Sequence, residues 1–219
     1  MTPSARGSRA GRRRGASGRG DIVHQPEPGA LRLTAISQTG PTPFEEAVSH
    51  TLGIEGGYAD HADDPGGKTQ WGVTEAVARA DGYSGPMSRL PKRRALDIYR
   101  RLYWDRIGLD HVARVSRRVA LECFDTGVNC GVSIPVRFLQ RLLNVLNGKG
   151  RHWPDIKVDG AAGPATARSL GALMERRGRD GETVLLRYLK SLKGERYVEI
   201  AENNENLESF IFGWGLHRL

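Results

Sequence analysis

Apolar positions recur at helical spacing from residue 44 onward. Phe44, Ala47, Val48, Thr51 and Leu52 follow one another at three- and four-residue steps before Gly53, Gly56 and Gly57, which predicts a first amphipathic helix. Thr74 is placed to cap a short helix through Ala80, closed by Asp81 and Gly82. Pro91 suits the first turn of a third helix, with Ala95, Leu96, Ile98, Tyr99, Leu102 and Tyr103 as its apolar face. Between Ser116 and Asn129 a stripe of Val119, Ala120, Cys123, Phe124 and Val128 marks a central buried helix, which Gly131 ends. Ser133 and Pro135 open the next helix, whose Val136, Leu139, Leu142, Leu143 and Leu146 face inward until Asn147 and Gly148. Three further helices are expected around 164–176, 181–202 and 205–213, the last sealing the core with Phe210, Phe212 and Trp214. No stretch alternates with period two for long enough to build a central sheet. The fold class is therefore all-α, with at most a small hairpin near Tyr58 to Val73.

The first 43 residues depart from this pattern. They are rich in Gly, Pro, Ser and Thr and bury too little apolar surface to offset the entropy of ordering, so residues 1–43 are expected to be a disordered tail. Of the net charge of +8, five units belong to this segment, because seven arginines face only Asp21 and Glu27. A charge block without interleaved aromatics reads as a solvated tail before it reads as a nucleic-acid site. The basic cluster Arg12 to Arg14 is not followed by the apolar stretch of a secretory leader, so no such leader is expected. No run of about 18 apolar residues occurs anywhere, which excludes a helical membrane span. Cys123 and Cys130 on one helix would have Cα atoms about 10.5 Å apart, beyond disulfide reach, and read as core thiols. The six histidines show no metal-ligand spacing, and no cofactor or metal is expected.

Candidate chemistry concentrates between Ile54 and Thr74. Glu55 follows the first helix between an apolar residue and two glycines, where a ligand can approach closely. Ile54, Tyr58 and Trp71 could desolvate its carboxyl and raise its pKa, which a general acid working near neutral pH requires. Glycosidic hydrolysis needs a second group to activate water or stabilise the oxocarbenium-like transition state. Asp64 and Thr69, nine and fourteen positions on, could be returned to Glu55 by the glycine-rich loop, with Asp63 as an alternative. Clusters of Asp and Gly also form ordinary solvated turns, so composition alone does not distinguish the two readings.

The wording of the strings is more specific. EGGY, DDPGGKTQWGVT, IYRRLYW (Ile98 to Trp104), FDTGVNCG (Phe124 to Gly131) and LQRLLN (Leu139 to Asn144), in that order, resemble glycoside hydrolase family 108 from about Phe44 to the chain end. The resemblance implies a lysozyme-like helical fold that cuts the β-1,4 bond between N-acetylmuramic acid and N-acetylglucosamine, with Glu55 as the essential acid. It implies water positioning by Asp64 and Thr69. The related phage lysozyme pattern has its threonine at the position held here by Gln70. Gln70 and Trp71 replace an Asn-Tyr pair common in the family and keep a polar group beside an aromatic platform. Tyr58 and Trp71 fit sugar stacking and core packing equally. Asp125 and Asn129, four apart on the central helix, could line a cleft floor or brace neighbouring backbone.

A second string, Val158 to Thr166 with DGxxGPxT, resembles the peptidoglycan-binding domain associated with this family. It implies a shallow groove shaped by Asp159, Gly160 and Thr166, although a tight turn and a proline helix start explain the same residues structurally. The expected organisation is a tail (1–43), a catalytic domain (44–131) and a helical peptidoglycan-binding domain (132–219). The expected partner is bacterial peptidoglycan, met by a monomer made in the cytoplasm and delivered to the periplasm or wall by a holin or an export route. Nucleic acid and stable membrane insertion are not expected.

Overall fold

The computed structural model of the chain describes residues 40–52 and 68–219, so most of the N-terminal tail lies outside the described residues. Helix α1 (Pro43–Leu52) begins with a capping box: the Glu45 carboxylate accepts from the Thr42 N–H and hydroxyl at 2.8 Å, and the Glu45 N–H donates to Thr42 Oγ1 at 3.3 Å. A two-strand antiparallel hairpin follows, β1 (Thr69–Gln70) against β2 (Val73–Thr74). Thr74 then caps α2 (Glu75–Ala80) through the Val77 N–H, and Asp81 ends it, as its sequence predicts.

Helix α3 (Lys92–Tyr99) starts after Pro91 and widens into a π-helical turn, Arg100–Asp105. That turn places Trp104 fully inside, where its indole N–H donates to Asp110 Oδ1 at 2.7 Å. Sequence periodicity carried the third helix through Tyr103 as ordinary α-helix and did not anticipate α4 (Leu109–Ala113). The buried α5 (Arg117–Cys130) is capped by Ser116, which accepts from the Val119 N–H at 3.1 Å and donates to Glu182 at 2.6 Å. Both cysteines lie on α5, free and buried, as expected; burial pushes the Cys130 thiol up to about 11.

Helix α6 (Ile134–Leu146) packs on α5 and on α7 (Pro164–Glu202). Two helical segments are found where helices are expected at 164–176 and 181–202, and they meet within α7 at Gly178, whose φ of 53° and ψ of −138° break the helical geometry. A 3-10 turn, Glu205–Leu207, leads to α8 (Glu208–Arg218).

Helix α8 corrects one expectation. It does not seal the core: none of its residues is buried, and Phe212 is 79% exposed. Trp214 instead lies between Phe210 and Tyr197, at ring distances of 6.3 and 5.1 Å. One apolar core runs from Phe44 to Leu189, so residues on either side of position 131 share it. At its centre Phe44 meets Trp104 and Phe124 edge-on, at 5.6 and 6.0 Å, which fixes α1 against α5 and the π-turn.

Candidate functional site

Segment 53–67 carries Glu55, Tyr58, Asp63 and Asp64, and all four lie outside the described residues. Its flanks are described, and they meet. The hairpin turns at Trp71 and Gly72, both with positive φ (55° and 72°), the signature of a type I′ turn. A Cβ added at Gly72 would stand 2.7 Å from the Tyr99 hydroxyl and 3.2 Å from Leu52 Cδ2. The turn therefore abuts the last residue of α1, three positions before Glu55. Gly72→Ala combines a left-handed backbone with that collision and should lower stability by about 1–3 kcal/mol, read as a lower midpoint in denaturant.

Trp71 is a bulky residue in a left-handed conformation, a strained choice that the surroundings impose. Its indole N–H donates to the Leu90 carbonyl at 2.9 Å, and the Lys92 ammonium lies 5.4 Å from the ring centroid. The ring is half-buried and held in one orientation. Thr69 pairs with Thr74 across the ladder, and Gln70 pairs with Val73. The Gln70 side chain is buried, and its Oε1 has no hydrogen-bond partner among the described residues. Tyr99, beside the turn, is buried, which drives its phenol pKa upward and keeps it neutral.

Asp125 and Asn129 share one face of α5, but the Asp125 carboxylate faces inward. It binds Lys193 Nζ at 3.0 Å and Arg218 Nη1 at 3.1 Å, and Asn129 Nδ2 donates to its carbonyl at 2.7 Å. Lys193 also meets Glu122 at 2.6 Å. Of the two roles the sequence leaves open, a cleft floor or a brace for neighbouring backbone, the contacts described are those of a brace: Asp125 takes part in an internal ion-pair network joining α5, α7 and α8. No hydrophobic pattern marks Lys193, which reads in sequence as a solvated lysine.

The loop Val158 to Thr166 is organised by a residue of α6. Gln140, 1% exposed, accepts from the Asp159 and Gly160 N–H groups at 3.0 and 2.9 Å. Its Nε2 reaches Asp159 Oδ1 (2.8 Å), the Ala161 carbonyl (3.1 Å) and Thr166 Oγ1 (3.3 Å). Gly160 has φ of 82°, and a Cβ there would come within 3.1 Å of the Ser133 carbonyl. Thr166 is buried, while Asp159 stays exposed. Removing the glutamine leaves several of these groups unsatisfied, so Gln140→Ala should cost about 2–4 kcal/mol.

The Gln140 amide, then the Ala161 N–H, holds the Asp159 carboxyl below its ordinary range. A depressed folded-state pKa gives stability that is present above the unfolded value and fades as pH falls through the folded one. Gln140→Ala should therefore also flatten the acid limb of the stability curve, measured by thermal melts across pH. Among the described residues no group of His, Cys, Asp or Glu could hold a metal ion, and no helix is long and apolar enough to cross a membrane.

Comparison with known proteins agrees with this architecture. Residues 48–131 match the family model for Glycosyl hydrolase 108, and residues 134–219 match that for a Predicted Peptidoglycan domain. Among solved structures, SagA of Brucella abortus is similar to 78% of this chain and 87% of its own, with 24% identity and a TM-score of 0.54, a likeness of fold. No curated protein matches the sequence. The hairpin and the second half of α1 fall within the first match, and the Gln140 clasp falls within the second. Residues 48–131 thus match glycosyl hydrolase family 108 and residues 134–219 a predicted peptidoglycan domain, and together the two matches support a glycoside hydrolase acting on peptidoglycan.

Proposed function

We propose that the chain is an N-acetylmuramidase cleaving the β-1,4 bond between N-acetylmuramic acid and N-acetylglucosamine. Glu55, protonated, donates to the leaving oxygen as the glycosidic bond breaks. Asp64, with Thr69, orients the water that adds to the muramic C1 carbon, and that water's proton passes to Asp64. Tyr58, Gln70 and Trp71 bind the sugar beside them. The observation carrying this reading is the close approach of Gly72 to Leu52, which brings the described residues on either side of position 55 near one another inside the family 108 match. The fixed orientation of Trp71 supplies an aromatic face in support. Delivery by a holin or an export route completes the reading for a substrate outside the membrane.

A lytic transglycosylase also works with one glutamic acid, but it closes the muramic ring on itself instead of adding water. Mass spectrometry of fragments released from purified sacculi separates the two. Hydrated muramic reducing ends are the expected product, and 1,6-anhydromuramic ends would overturn the water step. A catalytically silent peptidoglycan binder would sediment with sacculi and release no fragments.

A further inference from the structure

We infer that the groove between α6 and the middle of α7 docks the peptide stem of peptidoglycan. The inference rests on the reading of peptidoglycan as substrate. Two adjoining concavities share Arg141, Leu192 and Glu195 and together form this groove, within the region matching the peptidoglycan domain. One half of it is lined by Leu142, Val145, Tyr188 and Leu192, and of these Val145 (75%) and Tyr188 (50%) stand well exposed. Apolar side chains left facing water in a groove mark a binding surface.

The charges at its edge define what fits. Arg141 and Glu195 line the same groove, yet among the described residues neither has an ion-pair or side-chain hydrogen-bond partner. Further along, Arg196 pairs with Glu199 at 2.8 Å while its Nε is buried without an acceptor. An occupant complementary to this surface carries apolar groups, a carboxylate and an ammonium within a few bonds of one another. A stem peptide has all three: alanyl methyls, the free carboxylate of its γ-linked glutamate and the side-chain amine of its diamino acid. A bare glycan strand offers no ammonium for Glu195. Nucleic acid and anionic lipid offer only negative charge, which Glu195 and Glu199 oppose.

The test is co-sedimentation of the full chain with purified sacculi on ice, for wild type, Arg141→Glu and Glu195→Lys, with thermal melts as the folding control. Each reversal should reduce the bound fraction on the order of fivefold, as expected for a partly exposed charge contact. The free tetrapeptide L-Ala-γ-D-Glu-diaminopimelate-D-Ala should displace the wild type, and peptide-free N-acetylglucosamine oligomers should not. Unchanged binding by both variants, or displacement by DNA as efficient as by the tetrapeptide, would overturn the docking site. Displacement by the tetrapeptide from sacculi that yield no cleavage products would leave the groove standing and remove the hydrolytic reading. Cleavage without such displacement would remove the groove alone.

Discussion

Lys193→Met is expected to destabilise the protein by about 3–5 kcal/mol, the range for breaking one side of a buried ion pair. Lys193 is 1% exposed and is the nearest cation to two carboxylates, at 2.6 Å from Glu122 and 3.0 Å from Asp125. Both carboxylates are themselves almost fully buried on α5, one helical turn apart. Without the ammonium, Asp125 keeps Arg218 at 3.1 Å, but among the described residues Glu122 keeps only the Thr126 hydroxyl at 3.4 Å. A carboxylate in that position is costly because neither water nor a cation compensates its charge. The double variant Lys193→Met/Glu122→Met removes charge in equal amounts and should recover most of the loss, since well-packed apolar replacements of a buried pair are often neutral. Urea melts of the two variants measure this. A double variant no more stable than the single one would show that the lysine acts through packing and not through charge balance.

The second large effect concerns Glu55. Glu55→Gln keeps the shape of the side chain and removes its transferable proton, so hydrolysis of sacculi should fall by about 100- to 10,000-fold, the usual contribution of a general acid. Stability should change little, because α1 is held by its capping box at Thr42 and by the packing of Phe44 on Trp104 and Phe124, both well before position 55. Trp71→Ala should weaken substrate binding more than turnover if the ring is a sugar platform. Its hydrogen bond to Leu90 predicts an accompanying loss of stability, so the variant needs both measurements.

Much of the helical frame was legible from local signals. Thr74, Ser116, Pro135 and the glycine after α5 mark boundaries through groups that lie within a few residues of them. Where the determining contact is remote, the sequence is silent. The π-turn and α4 depend on Trp104 and Arg100 both reaching Asp110, a tertiary arrangement that apolar periodicity does not encode. A small hairpin is expected near Tyr58 to Val73, but strands of two residues are too short for alternation to place it, and only the glycine after Trp71 marks its turn. The aromatics of α8 read as core because hydrophobicity alone does not tell which face of a helix meets solvent.

The same limit governs the candidate site. Glu55, Asp64 and Thr69 stand out through a string of residues close in sequence. The partners of Asp125 lie 68 and 93 residues away, and no spacing rule links them to it. Gln140 is intermediate: it sits in the LQRLLN string, but its role appears only when the DGxxGPxT loop, 19 residues on, folds over it.

The reading depends most on the proton of Glu55, and one comparison addresses it directly. Wild-type and Glu55→Gln proteins with matching circular dichroism are incubated with purified sacculi, and the released muramic ends are counted by mass spectrometry. The account predicts hydrated reducing ends from the wild type and a release from the variant lower by about 100-fold or more. Fragment release by Glu55→Gln at the wild-type rate would contradict it.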